Sequence, residues 1–387
     1  MRVAIGTWGS AGDLFPLLPV ASELTRRGDD VMFVVPRALG LYLRALQVPH
    51  RPFGDGSEAR ALDDPKLYTS RFKGWSSIRR TFNCYVGPEL PSSYQHAIRA
   101  FHDWAPDVVL TTTYATAPRL AALRLGIRHI PLSIYPQNDR LSNRSCARFA
   151  RAYTTEVTAL IHQEAVPTPS LALARWGIAD DQLVLHEPLL LGSDHVRGHV
   201  VGYPLWDSFP TDHEELRACQ QWLTPDRSDV VVLTLGSFMG LSQTSLLAEI
   251  VAAVSRSGYR TLVLGSRTTS RAEGVTVTLS ASYIPLSTVL DGVAFVVHHG
   301  GLGTAMCAAR TGTPAILMPQ AFDQPHVAGL VERSGLGIQA GLSDLADAIR
   351  YVETSRVRGV CQELAALLSA PLTAETRVLA RIDDADV

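Results

Sequence analysis

Residues Val293–Thr304 read VAFVVHHGGLGT and run on into AMCAAR at 305–310. The apolar run at 293–297 has the length and Val-rich character of a strand buried on both faces. Two histidines close it, and Gly300, Gly301 and Gly303 follow in a turn that opens a helix. Glycines there let the backbone approach an anion closely, and a helix N-terminus offers unpaired N–H groups and positive potential. A diphosphate suits such a turn. His298 or His299 then adds a hydrogen bond to it, and Thr304 serves as N-cap or as a phosphate contact. The plain alternative is a tight strand-to-helix turn around a core histidine.

Outward from this stretch, short Val/Ile/Leu runs alternate with longer amphipathic segments, the pattern of βαβ units and parallel sheets. One series of predicted strands covers Arg2–Thr7, Asp30–Val35, Asp107–Thr112 and His129–Ile134. Its helices fall near Phe15–Arg27, Ile78–Trp104, Ala115–Leu125 and Asn143–Gln163, with Gly28 placed as a helix-ending glycine. A second series has strands at Asp229–Leu235, Arg260–Leu264, Val275–Leu279, Val293–Val297 and Thr313–Met318. Gly202–Arg227, with three prolines and many charges, reads as the connection between them. Each series opens with a strand running into a Gly-Ser loop, VAIGTWGS in one and VVLTLGS in the other. The fold class is therefore α/β, with two doubly wound domains facing each other across a cleft and ligands at the carboxyl ends of the strands.

A length of 387 residues suits two domains of roughly 150–200 residues each. With 46% hydrophobic and 19% charged residues the chain is built to pack. A net charge of −2 supplies no attraction for nucleic acid. Cys84, Cys146, Cys219, Cys307 and Cys361 are scattered without metal-ligand or redox spacing and read as reduced, mostly buried thiols. The sequence has neither a signal peptide nor an apolar run long enough to span a bilayer, so the expected location is the cytoplasm. The C-terminal half holds no carboxylate cluster suited to a bridging magnesium, so no metal site is expected.

Four further stretches carry candidate chemistry. Gly236 and Ser237 end the strand VVVLTL and offer another phosphate contact, or simply a turn. In Pro319–Pro325, PQAFDQP, Asp323 and Gln324 are suited to reading sugar hydroxyls, or to capping the helix that Pro325 begins. In Gly9–Pro16, GSAGDLFP, Asp13 stands at a helix mouth as a cap or as a general base. Lys66–Val86 mixes five basic residues with Trp, Phe and Tyr and reads as a solvated loop, an acceptor contact or a membrane-surface patch.

These stretches, in this order and together with GYPLW at Gly202–Trp206, resemble family 1 glycosyltransferases of the GT-B fold over nearly the whole chain. The likeness is to bacterial enzymes that decorate glycopeptides and macrolides, with sterol and lipid glucosyltransferases as relatives. The resemblance implies an acceptor-binding Rossmann-like domain at 1–205, a linker at 206–227, a nucleotide-sugar-binding domain at 228–369 and a helix at 370–387 crossing back. It makes Asp13 the base that deprotonates the acceptor, and places Ser10, Ser237, His298, His299, Gly300, Gly301, Gly303 and Thr304 around the donor diphosphate. Asp323 and Gln324 match the pair that grips the sugar, and Tyr283 and Ile284 fall where the pyrimidine base sits. The implied reaction inverts the anomeric centre, with a UDP- or dTDP-sugar as co-substrate, a small molecule as acceptor, and no cofactor. A nucleotide-sugar epimerase and a non-catalytic nucleotide-sugar-binding partner are the other readings of the same fold.

Overall fold

Every residue of β1 (Arg2–Gly6) after Arg2 is buried, because the strand has a hydrogen-bonded neighbour on each side and helices over its faces. The computed structural model describes residues 1–54, 56, 80–134, 157–164, 182–191, 198–223, 226–236, 244–265, 278–281, 283–320, 322–368 and 374–384. β1 pairs in parallel with β2 (Asp30–Pro36) and with β4 (Val108–Thr112), Val3 standing beside Val31 on one edge and Val108 on the other. β3 (His50–Phe53), β5 (Arg128–Ser133), β6 (Leu183–Val184) and β7 (His199–Val200) complete a parallel sheet of order β3-β2-β1-β4-β5-β6-β7. The order reverses between β1 and β4, so a crevice opens beyond their carboxyl ends.

The helix expected at Phe15–Arg27 is two helices. Ser10 starts α1 (Ala11–Leu14), and α2 (Leu17–Arg27) begins anew after Pro16, which lacks the N–H a continuous helix would use there. α2 buries Leu17, Leu18, Val20, Ala21 and Leu24, and stops at Gly28 with φ of 96°. α3 (Gly87–Trp104) is entered through a π turn at Phe82–Val86, where the Gly87 N–H reaches back to the Phe82 carbonyl. A regular α turn would press the Pro88 ring against the Cys84 carbonyl, and the wider turn relieves that contact. Tyr94 and Phe101 of α3 lie in the core under the sheet. Of the expected helix at 143–163, residues 157–163 are helical and 143–156 lie outside the described residues, as do 66–79 of the basic and aromatic stretch.

The stretch read as a linker holds α4 (His213–Trp222), whose N-cap Asp212 accepts from the N–H groups of Glu214 and Glu215 at 2.8 and 3.4 Å. The chain divides into two compact units, Met1–Trp206 with Leu372–Val387, and Asp207–Pro371, so residues 207–227 belong to the second. That unit is built on a second parallel sheet. Its strands are β8 (Val230–Thr234), β9 (Arg260–Leu264), β10 (Thr278–Ala281), β11 (Phe295–His298), β12 (Ala315–Leu317) and β13 (Gly337–Gln339), in the order β10-β9-β8-β11-β12-β13. The reversal falls between β8 and β11, whose last residues Thr234 and His298 stand side by side. The described residues following these strands include α5 (Leu286–Leu290), α6 (Leu302–Thr311) and α7 (Gln324–Ser334). Among the described residues no helix is long and apolar enough to cross a membrane. Cys219, Cys307 and Cys361 are buried, whereas Cys84 on the π turn is exposed.

The last helix, α8 (Ala374–Asp383), packs against α2 of the first unit and buries Val378, Leu379 and Ile382. Its carboxyl end has carbonyls that no residue of the helix can satisfy. The Arg128 guanidinium from β5 donates to the carbonyls of Ile382, Arg381 and Asp384 at 2.6, 3.1 and 2.5 Å. Arg27 pairs with both carboxylate oxygens of Asp383 at 2.8 Å, and Arg377 donates to the Val201 carbonyl at 3.1 Å. Replacing Arg128 by Ala is expected to destabilise the protein by about 1–2 kcal/mol in urea unfolding. Amide exchange should accelerate first in α8; unchanged protection of 374–383 would contradict this account of how the helix is held.

Candidate functional site

In the first unit the loop after β1 is held by polar contacts. Thr7 is fully buried; its hydroxyl donates to the Asp13 carbonyl at 3.2 Å and lies 2.9 Å from that of Thr112, the last residue of β4. Ser10 is the N-cap of α1 and Asp13 its third residue, and the two form a capping box. Asp13 Oδ2 accepts the Ser10 N–H at 2.7 Å and the Ser10 hydroxyl at 3.1 Å, while Ser10 Oγ accepts from the Gly12 N–H at 3.2 Å. The N-cap is thus Ser10, not Asp13, and the Asp13 carboxylate is buried beneath the loop at 6% exposure. Gly9, with φ of 132°, has no room for a side chain: a Cβ there would lie 2.2 Å from Asp13 Oδ2.

Sequence reasoning missed a pocket beside this loop. It lies at the carboxyl ends of β1, β3 and β4 and has Trp8, Phe53, Val86, Leu90 and Tyr114 among its walls. Glu89 from the first turn of α3 is its charged lining residue. The signal was present in the aromatic residues that follow two of the strands, Trp8 and Tyr114.

In the second unit the glycine turn stands at the β8/β11 reversal. His298, the last residue of β11, is fully buried and accepts the Gly300 N–H at Nδ1, 3.2 Å away. His299 is half-buried, its ring set between two glycines. A Cβ at Gly236 would come within 2.6 Å of that ring, and one at Gly301 within 2.5 Å. The Gly-Ser turn after β8 and the His-His-Gly-Gly turn after β11 are therefore brought together by one imidazole. The Gly236 N–H is itself held by the Thr234 hydroxyl at 3.2 Å. Ser237 lies outside the described residues.

Gly300 has φ of 90°, and a Cβ on it would stand 3.0 Å from the Gln324 carbonyl, so the turn rests on the start of α7. Gly301 is the N-cap of α6, and no side chain caps that helix. Thr304 is its third residue and Gly303 its second, both half-buried, which removes Thr304 from the N-cap position expected for it. The first turn of α6 thus presents backbone N–H groups with the helix dipole behind them. Burial pushes the His298 imidazole down to about 3, with His299 beside it acting in the same direction. Burial pushes His299 down to about 4, opposed by a hydrogen bond with the Thr234 backbone. Both rings are neutral near pH 7, so each offers a hydrogen bond without bringing a net charge.

Asp323 occupies the N-cap of α7 without a side-chain capping bond, which sets aside the capping reading for it. Gln324 is buried, and its Oε1 accepts the Gln320 N–H at 2.8 Å, so its carbonyl closes the loop. Phe322, just before the pair, is held at φ of 55°. Ile284 is 2% exposed and its side chain belongs to the core, so only its backbone is available to a ligand. Tyr283 meets Phe209 edge to face at 5.5 Å, and its hydroxyl is pushed upward by burial, then by Asp207 and Cys307. Asp207 also accepts from the N–H groups of Leu286 and Ser287, capping α5, whose N-cap Pro285 has no side chain to do so. Among the described residues no group of three or more His, Cys, Asp or Glu is placed to hold a metal ion.

Residues 261–376 match the family of erythromycin biosynthesis protein CIII-like C-terminal domains. Over 384 aligned residues the chain is 26% identical to vancomycin aglycone glucosyltransferase of Amycolatopsis orientalis, covering 87% of this chain and 85% of that one. It is 29% identical to the Thermus thermophilus N-acetylglucosamine transferase that acts on an N-acetylmuramyl-(pentapeptide) pyrophosphoryl-undecaprenol, covering 94% and 97%. Its fold matches that of glycosyltransferase VinC in complex with dTDP, with a TM-score of 0.74 at 19% identity and coverage of 99% and 98%. The chain is a glycosyltransferase of the GT-B fold.

In this glycosyltransferase the two imidazoles, His298 buried and His299 half-buried, make stability depend on pH. The His298 ring stays neutral in the folded protein down to about 3, whereas in the unfolded chain it takes up a proton near its ordinary 6.5. The unfolded state binds more protons in that window, so stability is full above pH 6.5 and falls as pH drops toward 3. His299 adds to the loss between 6.5 and about 4. Urea unfolding of the wild type between about pH 4 and 7 should show this slope, and His298→Asn should make it shallower. Identical slopes for the two proteins would contradict a neutral buried His298.

Proposed function

We propose that this glycosyltransferase moves a sugar from a UDP- or dTDP-linked donor to a hydroxyl of a small-molecule, natural-product-type acceptor, inverting the anomeric centre and using no metal or cofactor. The observation that carries the reading is the uncapped first turn of α6 with His299 lodged between Gly236 and Gly301 at the mouth of the β8/β11 crevice. An anion there meets backbone N–H groups, a helix dipole and a neutral imidazole together. Support also comes from the relatives, one named for the vancomycin aglycone and one holding dTDP.

In the proposed reaction Asp13 takes the acceptor's hydroxyl proton as that oxygen attacks the anomeric carbon. The bond from this carbon to the diphosphate breaks on the opposite face, and its electron pair leaves with the nucleoside diphosphate. Negative charge grows on the leaving phosphates, so donors already aimed there favour the transition state over the ground state. His299, the N–H groups of Gly303 and Thr304, and Ser237 are assigned to this task. Asp323 and Gln324 read the sugar, and Tyr283 with the backbone of Ile284 seats the base. The two bonds from Ser10 fix the orientation of the Asp13 carboxylate, and the pocket at Trp8 and Tyr114 takes the apolar body of the acceptor. A lipid-linked acceptor is the second reading, favoured by the Thermus relative.

Calorimetric titration of metal-free protein with UDP and dTDP is expected to show saturable binding, weakened by His299→Ala. If His299 serves the leaving group, its removal should also lower kcat by about 10²–10³-fold. Asp13→Asn should bind nucleotide as the wild type does and transfer no sugar. Wild-type turnover by Asp13→Asn would remove Asp13 as the base. NMR of the product settles the anomeric configuration, and a retained configuration would exclude the single displacement. Loss of activity in EDTA, restored only by a divalent ion, would exclude the metal-free reaction.

A further inference from the structure

The proposed chemistry needs one histidine of the pair and gives His298 nothing to do, although it is the more deeply buried. It ends β11 between Thr234 of β8 and Leu317 of β12, at 0% exposure. Its Nδ1 accepts the Gly300 N–H. A neutral imidazole that accepts at Nδ1 carries its proton on Nε2. That nitrogen has no hydrogen-bond partner among the described residues. A buried donor without a partner is a standing cost, and an apolar side chain of similar size would fill the space without it. The residue is explained if the acceptor at Nδ1 matters more than the orphaned donor at Nε2.

What that acceptor holds is the peptide joining His299 to Gly300. Gly300 lies in the left-handed region and is backed by the Gln324 carbonyl, 3.0 Å from where its Cβ would be. On one side of this peptide the His299 ring sits in its slot against Gly236 and Gly301. On the other side Gly301 starts α6. Rotation of the peptide would carry the ring out of the slot and turn the first N–H groups of the helix away from their present direction.

We propose that His298 is a positioning residue: by accepting the Gly300 N–H it fixes the turn, and so sets His299 and the first turn of α6 where an anion meets both. What the turn binds rests on the donor-diphosphate reading; what His298 holds rests on the geometry alone. Wild type, His298→Asn and His298→Phe distinguish the two. Asn keeps an acceptor oxygen near the place of Nδ1, and Phe keeps a ring but removes the acceptor.

In titrations with UDP and dTDP the Phe variant is expected to bind at least about tenfold more weakly, and the Asn variant to stay within about threefold of wild type. The His299 ring resonances should move in the Phe variant and stay in place in the Asn variant. Equal losses in the two variants, or none in the Phe variant, would overturn the proposal. Should the Phe variant not fold, a tenfold loss in the Asn variant overturns it and near-wild-type binding supports it. Long-range proton–nitrogen spectra of the wild type provide an independent check, because His298 must carry its proton on Nε2 and a proton on Nδ1 overturns the assignment. Wild-type protein that binds neither nucleotide would remove the donor reading. The His299 resonances and the tautomer would then decide the role of His298 by themselves.

Discussion

Phe295–His298 of β11 hydrogen-bonds in register with Val231–Thr234 of β8, and the rest of the second unit's site follows from that pairing. It brings two loops, far apart in sequence, out of the sheet at the same level. Because the strand order reverses there, the two strands end where ligands bind in sheets of this kind. One ring then joins them, and it fits only because Gly236 and Gly301 carry no side chains. A slip of one residue in the pairing would turn the side chains of the strand to the opposite face and take His298 out of the sheet. The first unit uses the same device in simpler form. β1 and β4 flank its reversal, and the hydroxyls of Thr7 and Thr112 meet at their carboxyl ends.

This architecture was legible wherever a feature is local. Val-rich strands buried on both faces, Gly28 at the end of α2, and glycines opening α6 all announce themselves by residue type. β3, β6, β7 and β13 do not. HRPF contains a proline, and the others are two or three residues long, so they exist as strands only through the neighbour that pairs with them. The same holds for single side chains. Nothing near Asp207 in sequence reveals that it caps a helix at Leu286, and nothing near Gln324 reveals that its carbonyl is occupied by Gln320. His298 and His299 look alike as letters. Successive side chains at a strand end point to opposite sides, which sends one into the sheet and leaves the other for the crevice.

The connection between the units is more ordered than its composition requires. Prolines and charges at 202–227 mark the stretch in which the chain passes from one unit to the other, and much of it is tied down. Val201 accepts from Arg377, Gly202 packs on Ala374, and both contacts lie within the first unit. The two points where the chain leaves that unit are therefore neighbours. Asp207 then binds two backbone N–H groups of the second unit at the boundary itself. Charged residues in such a stretch act as caps as readily as they seek water.

The helices differ in how completely their ends are satisfied, and the difference is informative. α1 has a capping box, α4 has Asp212, α5 has Asp207, and α8 has Arg128 at its carboxyl end. α6 begins at a glycine without a side-chain cap, and α7 begins at an aspartate that makes no capping bond. Both start within the same turn region, next to a left-handed Gly300, a left-handed Phe322 and an imidazole with an orphaned nitrogen. Each of these costs stability, and a fold selected only for stability has cheap remedies for all of them. Their concentration at one end of one sheet, where the strand order also reverses, is what supports the anion site proposed there.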